Sequence, residues 1–84
     1  MGWNQISISD PDDPLYAGIP DGSYFYFVHS FWADTPYQYR VTMTEYINRF
    51  ASSIRKGSTW GTQFHPEKSG EAGLRILHNY IGML

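Results

Sequence analysis

The chain is 84 residues long, 42% hydrophobic, 18% aromatic and 17% charged, with a net charge of −2; that length supports one small domain, which buries only about 60–65% of its unfolded surface. Residues 1–42 carry five acids and one base, residues 43–84 three acids and five bases, and neither half has the dense basic patch of a nucleic-acid binder. The absence of cysteine excludes disulfides, thiolate metal sites and a cysteine nucleophile within these residues, and no apolar run reaches the ~20 residues of a membrane span.

Met1 leads straight into Gly2-Trp3-Asn4 without a charged or apolar leader, so the expected location is the cytoplasm. Residues 9–22 hold three prolines, two glycines and four aspartates, which predicts a loop with turns. The Pro20-Asp21-Gly22 step then delivers the chain into a strand over 23–32. There Tyr24, Tyr26 and Val28 point one way and Phe25, Phe27 and His29 the other. Both faces are apolar or aromatic, the pattern of an interior strand covered on both sides.

Ala33-Asp34-Thr35-Pro36 breaks that strand. Tyr37 to Thr44 is rich in β formers and predicts a second strand. A third is expected over Phe50 to Arg55, closed by a turn at Lys56-Gly57-Ser58. Thr59 to Phe64 predicts a fourth. His65-Pro66 stops it, because proline disfavours the helical region for His65 and holds it extended at the strand end.

From Ser69 the period changes. Ser69 is a fitting N-cap and Glu71 an acid in the first turn. Leu74, Leu77, Ile81 and Leu84 recur at spacings of three and four, one apolar face of a helix that runs to the last residue. Arg75, His78 and Asn79 fall on other faces. The fold class expected is therefore α/β, a mixed sheet of short strands followed by one C-terminal helix. One helix covers only one face of such a sheet, so the chain is expected to be part of a larger domain with an apolar face left open.

The segment with chemical content is Gly61-Thr62-Gln63-Phe64-His65-Pro66-Glu67-Lys68-Ser69-Gly70. Residues at the carboxyl ends of strands line the crevice of open α/β sheets. Histidine serves as both acid and base near neutral pH. A carboxylate two residues on can fix its tautomer and stabilise the imidazolium, as in two-thirds of a nucleophile–His–acid triad. A zinc deaminase also uses His-x-Glu, but needs a cysteine pair that this chain lacks. His29, mid-strand, reads as a core histidine, and His78, late in the helix, as a cation suited to the dipole. No metal site or cofactor is expected.

These ten residues resemble the C-terminal signature of class I, triad-type glutamine amidotransferases. Met1-Gly2-Trp3-Asn4, Tyr24-Phe25-Tyr26-Phe27-Val28-His29-Ser30-Phe31, Phe50-Ala51-Ser52-Ser53-Ile54 and Ser69-Gly70-Glu71-Ala72-Gly73-Leu74-Arg75 are similar, in order, to the glutaminase subunits of imidazole glycerol phosphate synthases, enzymes of histidine biosynthesis. The resemblance implies that residues 1–84 are the C-terminal portion of a flavodoxin-like amidotransferase domain whose N-terminal half carries the cysteine. It implies that His65 is the acid/base and Glu67 its orienting partner. Ser30 and Phe31 would lie beside bound glutamine. Trp3, Asn4, Tyr26 and Lys68 would face a synthase subunit, a (β/α)8 barrel that consumes the ammonia in a heterodimer. Without the nucleophile, the chain alone is expected to be inactive. The other readings are a part of a different class I amidotransferase and a non-catalytic binding module derived from one.

Overall fold

In the computed structural model, described for residues 2–28 and 35–84, short strands come first and a single α-helix closes the chain. The strands are β1 (Gly2–Gln5), β2 (Ser7–Ile8), β3 (Tyr24–Phe27), β4 (Arg40–Tyr46), β5 (Asn48–Lys56) and β6 (Thr59–Thr62), and the helix is α1 (Gly70–Gly82). Strands β1 and β3 form an antiparallel ribbon, and β2-β4-β5-β6 a four-stranded sheet whose neighbours are also antiparallel. Among the described residues the strand ladders are thus all antiparallel and split into two sheets, where one mixed sheet was expected. The parallel part of such a sheet has no strand here to form it.

The core lies where the ribbon, the sheet and α1 meet. Phe25 and Phe27 of β3 are fully buried. Their rings meet Phe64 at 4.4 and 5.9 Å, and Phe27 meets Phe50 edge-on at 6.0 Å, the offset and T-shaped packings that aromatic quadrupoles favour. The opposite face of β3 behaves differently from expectation. Tyr24 is exposed and Tyr26 half-buried, because a tyrosine tip is satisfied by water while a phenylalanine is not. Strand β3 is covered on one side only, and His29, Ser30, Phe31 and Trp32, read as its continuation, lie outside the described residues.

The proline- and aspartate-rich segment 9–22 is a loop, as expected, but it also builds core. A 3-10 turn at Pro14–Tyr16 buries Leu15 and Tyr16, and Ile19 follows. The turn is pinned by the buried Asp13 carboxylate, which accepts from Leu15 N at 3.0 Å and Trp60 Nε1 at 3.0 Å and pairs with Arg55 at 3.4 Å. The Arg55 guanidinium in turn sits 4.4 Å over the Trp60 ring. A buried charge is tolerable when paired and hydrogen-bonded in this way.

Beneath that turn the Tyr16 hydroxyl donates to Ser53 Oγ, which shares a 2.6 Å hydrogen bond with Thr42 Oγ1. Burial pushes the Tyr16 phenol up to about 12, only partly offset by its hydrogen bonds to Ser53 and Thr42. The unfolded chain loses this proton near pH 10, the folded chain only near 12. Between those values the unfolded state binds fewer protons, so stability falls as pH rises, by about 2–3 kcal/mol in all. A urea titration repeated from pH 9 to 12 should show this fall, and Tyr16→Phe should flatten it.

The two hairpins differ in strain. Strands β5 and β6 are joined by Gly57-Ser58, with Gly57 at φ +63°, which meets the positive φ of a tight two-residue hairpin without a side-chain clash. Between β4 and β5, Tyr46 pairs with Asn48 and Ile47 alone turns the chain, at φ +64° and 84% exposed. A β-branched residue in that region is strained by roughly 1–2 kcal/mol. Ile47→Asn, which tolerates the left-handed region, should therefore raise stability by about 1 kcal/mol in thermal denaturation.

Helix α1 is fastened to the 14–17 turn by Asn79, whose Nδ2 donates to the carbonyls of Leu15 (2.8 Å) and Ala17 (2.9 Å), and by Arg75 Nε to Ala17 O (3.1 Å). It buries Gly73 and Ile76. The expected apolar face does not face this core. Leu74 and Ile81 are 65% and 67% exposed, and Leu84 is exposed beyond the helix end. The buried line runs about 100° round the helix from the Leu74–Leu77–Ile81 line, one residue step. Among the described residues no helix is long and apolar enough to cross a membrane.

Candidate active site

Strand β6 ends at Thr62, and the chain runs through Phe64 into His65 with φ −102° and ψ 101°. Pro66 supplies the first residue of a 3-10 turn over Pro66–Lys68. Its fixed φ suits that place, where no N–H is needed. The turn folds Glu67 back towards the residue two before it. His65 Nδ1 and Glu67 Oε2 come within 3.5 Å, with side chains 40% and 58% exposed. Sequence reasoning put this pair together, and it is together. The contact is longer than a tight hydrogen bond and open to solvent, so its strength is modest. Its geometric content is the larger one: a carboxylate on Nδ1 leaves Nε2 on the other side of the ring for proton transfer.

The backbone of His65 is held more firmly than its side chain. His65 N donates to Tyr26 O at 2.9 Å, and His65 O accepts from Lys68 N at 3.1 Å and from Ser69 Oγ at 2.6 Å. Ser69 Oγ also accepts from Tyr26 N at 2.9 Å. One buried hydroxyl therefore ties the His-Pro-Glu turn to β3. Ser69 holds the expected N-cap position of α1, but its hydroxyl makes no capping hydrogen bond there and clamps His65 instead. A serine that follows a turn can satisfy either role, and only the position of β3 decides between them.

Gly73 is the second residue that sequence reasoning passed over. A Cβ at Gly73 would lie 1.9 Å from Pro66 O and 2.9 Å from Ser69 Cβ. The first turn of α1 thus approaches the His-Pro-Glu turn closely enough to exclude any side chain. The available signal was a glycine inside a helix, which costs about 1 kcal/mol and asks for a packing reason.

The residues expected at a partner surface occupy neighbouring positions. Trp3 on β1 pairs across the ladder with Tyr26 on β3, their rings 5.6 Å apart and nearly perpendicular. Trp3 is exposed, Asn4 half-buried, and Asn4 Nδ2 donates to Gly2 O at 3.5 Å. Lys68, exposed, stands in the turn that the Tyr26 backbone anchors. Ser30 and Phe31 lie outside the described residues. A cavity of about 580 Å³ opens beside Trp3 and Asn4, walled also by Tyr24, Thr44, Glu45 and Arg49, and not beside His65. Among the described residues no three His, Asp or Glu side chains cluster closely enough to hold a metal ion.

Comparison with known proteins adds to this geometry. The family model "Glutamine amidotransferase class-I" matches residues 1–82. The imidazole glycerol phosphate synthase subunit HisH of Methanosarcina mazei is 51% identical over 99% of the chain and 42% of its own length. The same-named subunits of Methylococcus capsulatus and Methanocaldococcus jannaschii are 49% and 48% identical, over 96% and 100% of the chain and 38% and 42% of their own lengths. The chain therefore spans about two-fifths of the length of these relatives.

Proposed function

From the premise that the chain belongs to the class-I glutamine amidotransferase family, we propose that it is the C-terminal, proton-transfer portion of the glutaminase subunit of an imidazole glycerol phosphate synthase. The domain it completes is a flavodoxin-like α/β domain acting in the cytoplasm, in histidine biosynthesis. A cysteine outside these 84 residues attacks the side-chain carbonyl carbon of glutamine. The C–N bond breaks, and ammonia leaves with a proton from His65. Water then cleaves the thioester to glutamate, with His65 taking up a proton. Glu67 fixes the His65 tautomer and stabilises the imidazolium. Ser30 and Phe31 lie beside the bound glutamine. Trp3, Asn4, Tyr26 and Lys68 face a (β/α)8 synthase subunit that receives the ammonia.

The observation that carries this reading is the His65–Glu67 pair, 3.5 Å apart at a strand end whose backbone Tyr26 and Ser69 hold in place. The family's description supports glutamine as the substrate, and the relatives' shared name, a synthase subunit, supports a partner subunit. The test is to co-express the chain with the part of the Methanosarcina mazei subunit that it does not span, and to measure glutamate formed from glutamine. Turnover is expected from the pair and from neither piece alone. Turnover by the 84-residue chain alone, or a co-purifying pair with none, would sink the proposal.

A further inference from the structure

The imidazole of His65 has little of its own to hold it. Its contact with Glu67 is 3.5 Å long, and both side chains are open to solvent. A side chain in a staggered rotamer goes where its backbone goes, so the place of the ring follows from the place of the His65 main chain. Lys68 N, which donates to His65 O at 3.1 Å, belongs to the same 3-10 turn and cannot fix that turn against the sheet. The bonds that do so form a ring of three. His65 N donates to Tyr26 O at 2.9 Å, Tyr26 N donates to Ser69 Oγ at 2.9 Å, and Ser69 Oγ donates to His65 O at 2.6 Å.

The sense of each bond in the ring is fixed. A backbone N–H can only donate and a carbonyl can only accept, so the Ser69 hydroxyl gives its proton to His65 and a lone pair to Tyr26. Ser69 is 2% exposed, so removing the hydroxyl leaves the Tyr26 N–H without this acceptor in a buried place. Strand β1 pairs with β3 along one edge, while the N–H and C=O of Tyr26 are both given to Ser69 and His65. The first turn of α1 makes room for this arrangement. A Cβ at Gly73 would come within 2.9 Å of Ser69 Cβ, and Gly73 N donates to Ser69 O at 3.3 Å. Ser69 stands at the N-cap yet forgoes the stabilisation that a capping hydroxyl gives a helix. Its hydroxyl serves His65 at the expense of α1.

We propose that Ser69 is a positioning residue for the proton transfers of His65: its hydroxyl locks the His65 main chain to β3 and so keeps the imidazole in one place while glutamine reacts. This rests on the proposed role of His65 in proton transfer. The Ser69 hydroxyl is buried and both its bonds go to main chain, so it acts through His65 and not on the substrate. The rate therefore depends on it, and glutamine binding does not. Proton transfer needs hydrogen-bond reach between the imidazole and the reacting group, and a displacement of about 1 Å costs on the order of 100-fold.

The test is Ser69→Ala in the chain paired with the unspanned part of the Methanosarcina mazei subunit. The kcat for glutamate formation should fall about 10–100-fold, with KM within about threefold of wild type. Ser69→Cys fills nearly the same space with a weaker hydrogen-bonding group and should lose less; it decides the matter if the alanine variant does not fold. Ser52→Ala is the control for stability alone. It removes a hydroxyl that is just as buried, bonded to Thr42 Oγ1 at 2.8 Å in the sheet, and should lower the thermal midpoint while leaving kcat unchanged. A kcat within about threefold of wild type in the folded Ser69 variants, or an equal loss in Ser52→Ala, overturns the proposal. Amide exchange at Tyr26 and His65, read by NMR on the labelled chain, should quicken at least about tenfold in the Ser69 variants. Unchanged exchange overturns the hold on His65 itself. Quickened exchange in a pair whose wild type forms no glutamate upholds that hold and overturns the catalytic reading instead.

Discussion

His65→Ala is expected to lower glutamine turnover by the complemented pair at least ~10³-fold, with association unchanged. The histidine is asked to take a proton from the thiol and return one to the departing ammonia, and removing one member of a nucleophile–base unit costs about as much as removing the unit. Glu67→Gln should be milder, about 10–100-fold. The carboxylate is 58% exposed and 3.5 Å from Nδ1, so water substitutes for part of its effect. The order of the two losses is informative. A larger loss at Glu67 than at His65 would mean that the carboxylate, and not the imidazole, touches the reacting atoms. A His65→Ala pair that keeps a tenth of its turnover would remove His65 from the chemistry.

Gly73→Ala should destabilise the chain by roughly 3 kcal/mol, against a helix propensity that favours alanine by about 1 kcal/mol. The clash decides the sign. The added carbon would sit 1.9 Å from a backbone carbonyl and 2.8 Å from the carbon that bears it. Neither atom belongs to a side chain that could swing away. Relief requires α1 to move off the His-Pro-Glu turn by roughly 1.5 Å to reach ordinary van der Waals contact, or the turn to unwind. Gly82→Ala, on the last turn of the same helix, meets nothing within 4 Å. It should be neutral or slightly stabilising. Denaturation midpoints of the two variants, measured side by side, separate a close approach from a general effect of glycine. Equal midpoints would mean that the turn yields freely, and that it does not set the position of Glu67.

Local patterns were legible in the sequence, and distant ones were not. The alternation at 24–27, the Gly57-Ser58 turn and the change of period after Ser69 each lie within a few residues, and the strands and helix formed there. Segment 9–22 was legible as loop, because prolines and aspartates dominate it. Its buried Leu15, Tyr16 and Ile19 depend on Trp60, Ser53 and Asn79, all far along the chain, which no local pattern reports. The apolar line of α1 was legible too, but periodicity identifies which side is apolar and not what it meets. In the site, His65 and Glu67 were evident from type and spacing. The clamp by Ser69 needed β3 beside it, and the exclusion of a side chain at Gly73 needed the turn above it.

Asn79 bonds to Leu15 and Ala17 across more than sixty residues of sequence, and this has a bearing on the order of folding. Helix α1 docks on a turn more than sixty residues before Asn79, so a long loop must close before α1 gains these anchors. Closing such a loop is slow relative to helix formation. During synthesis the 14–17 turn must wait, its carbonyls bound to water, until residue 79 has left the ribosome. Helix α1 is the piece that locks this turn, and a chain cut short before residue 79 should leave the turn open however well its strands are made.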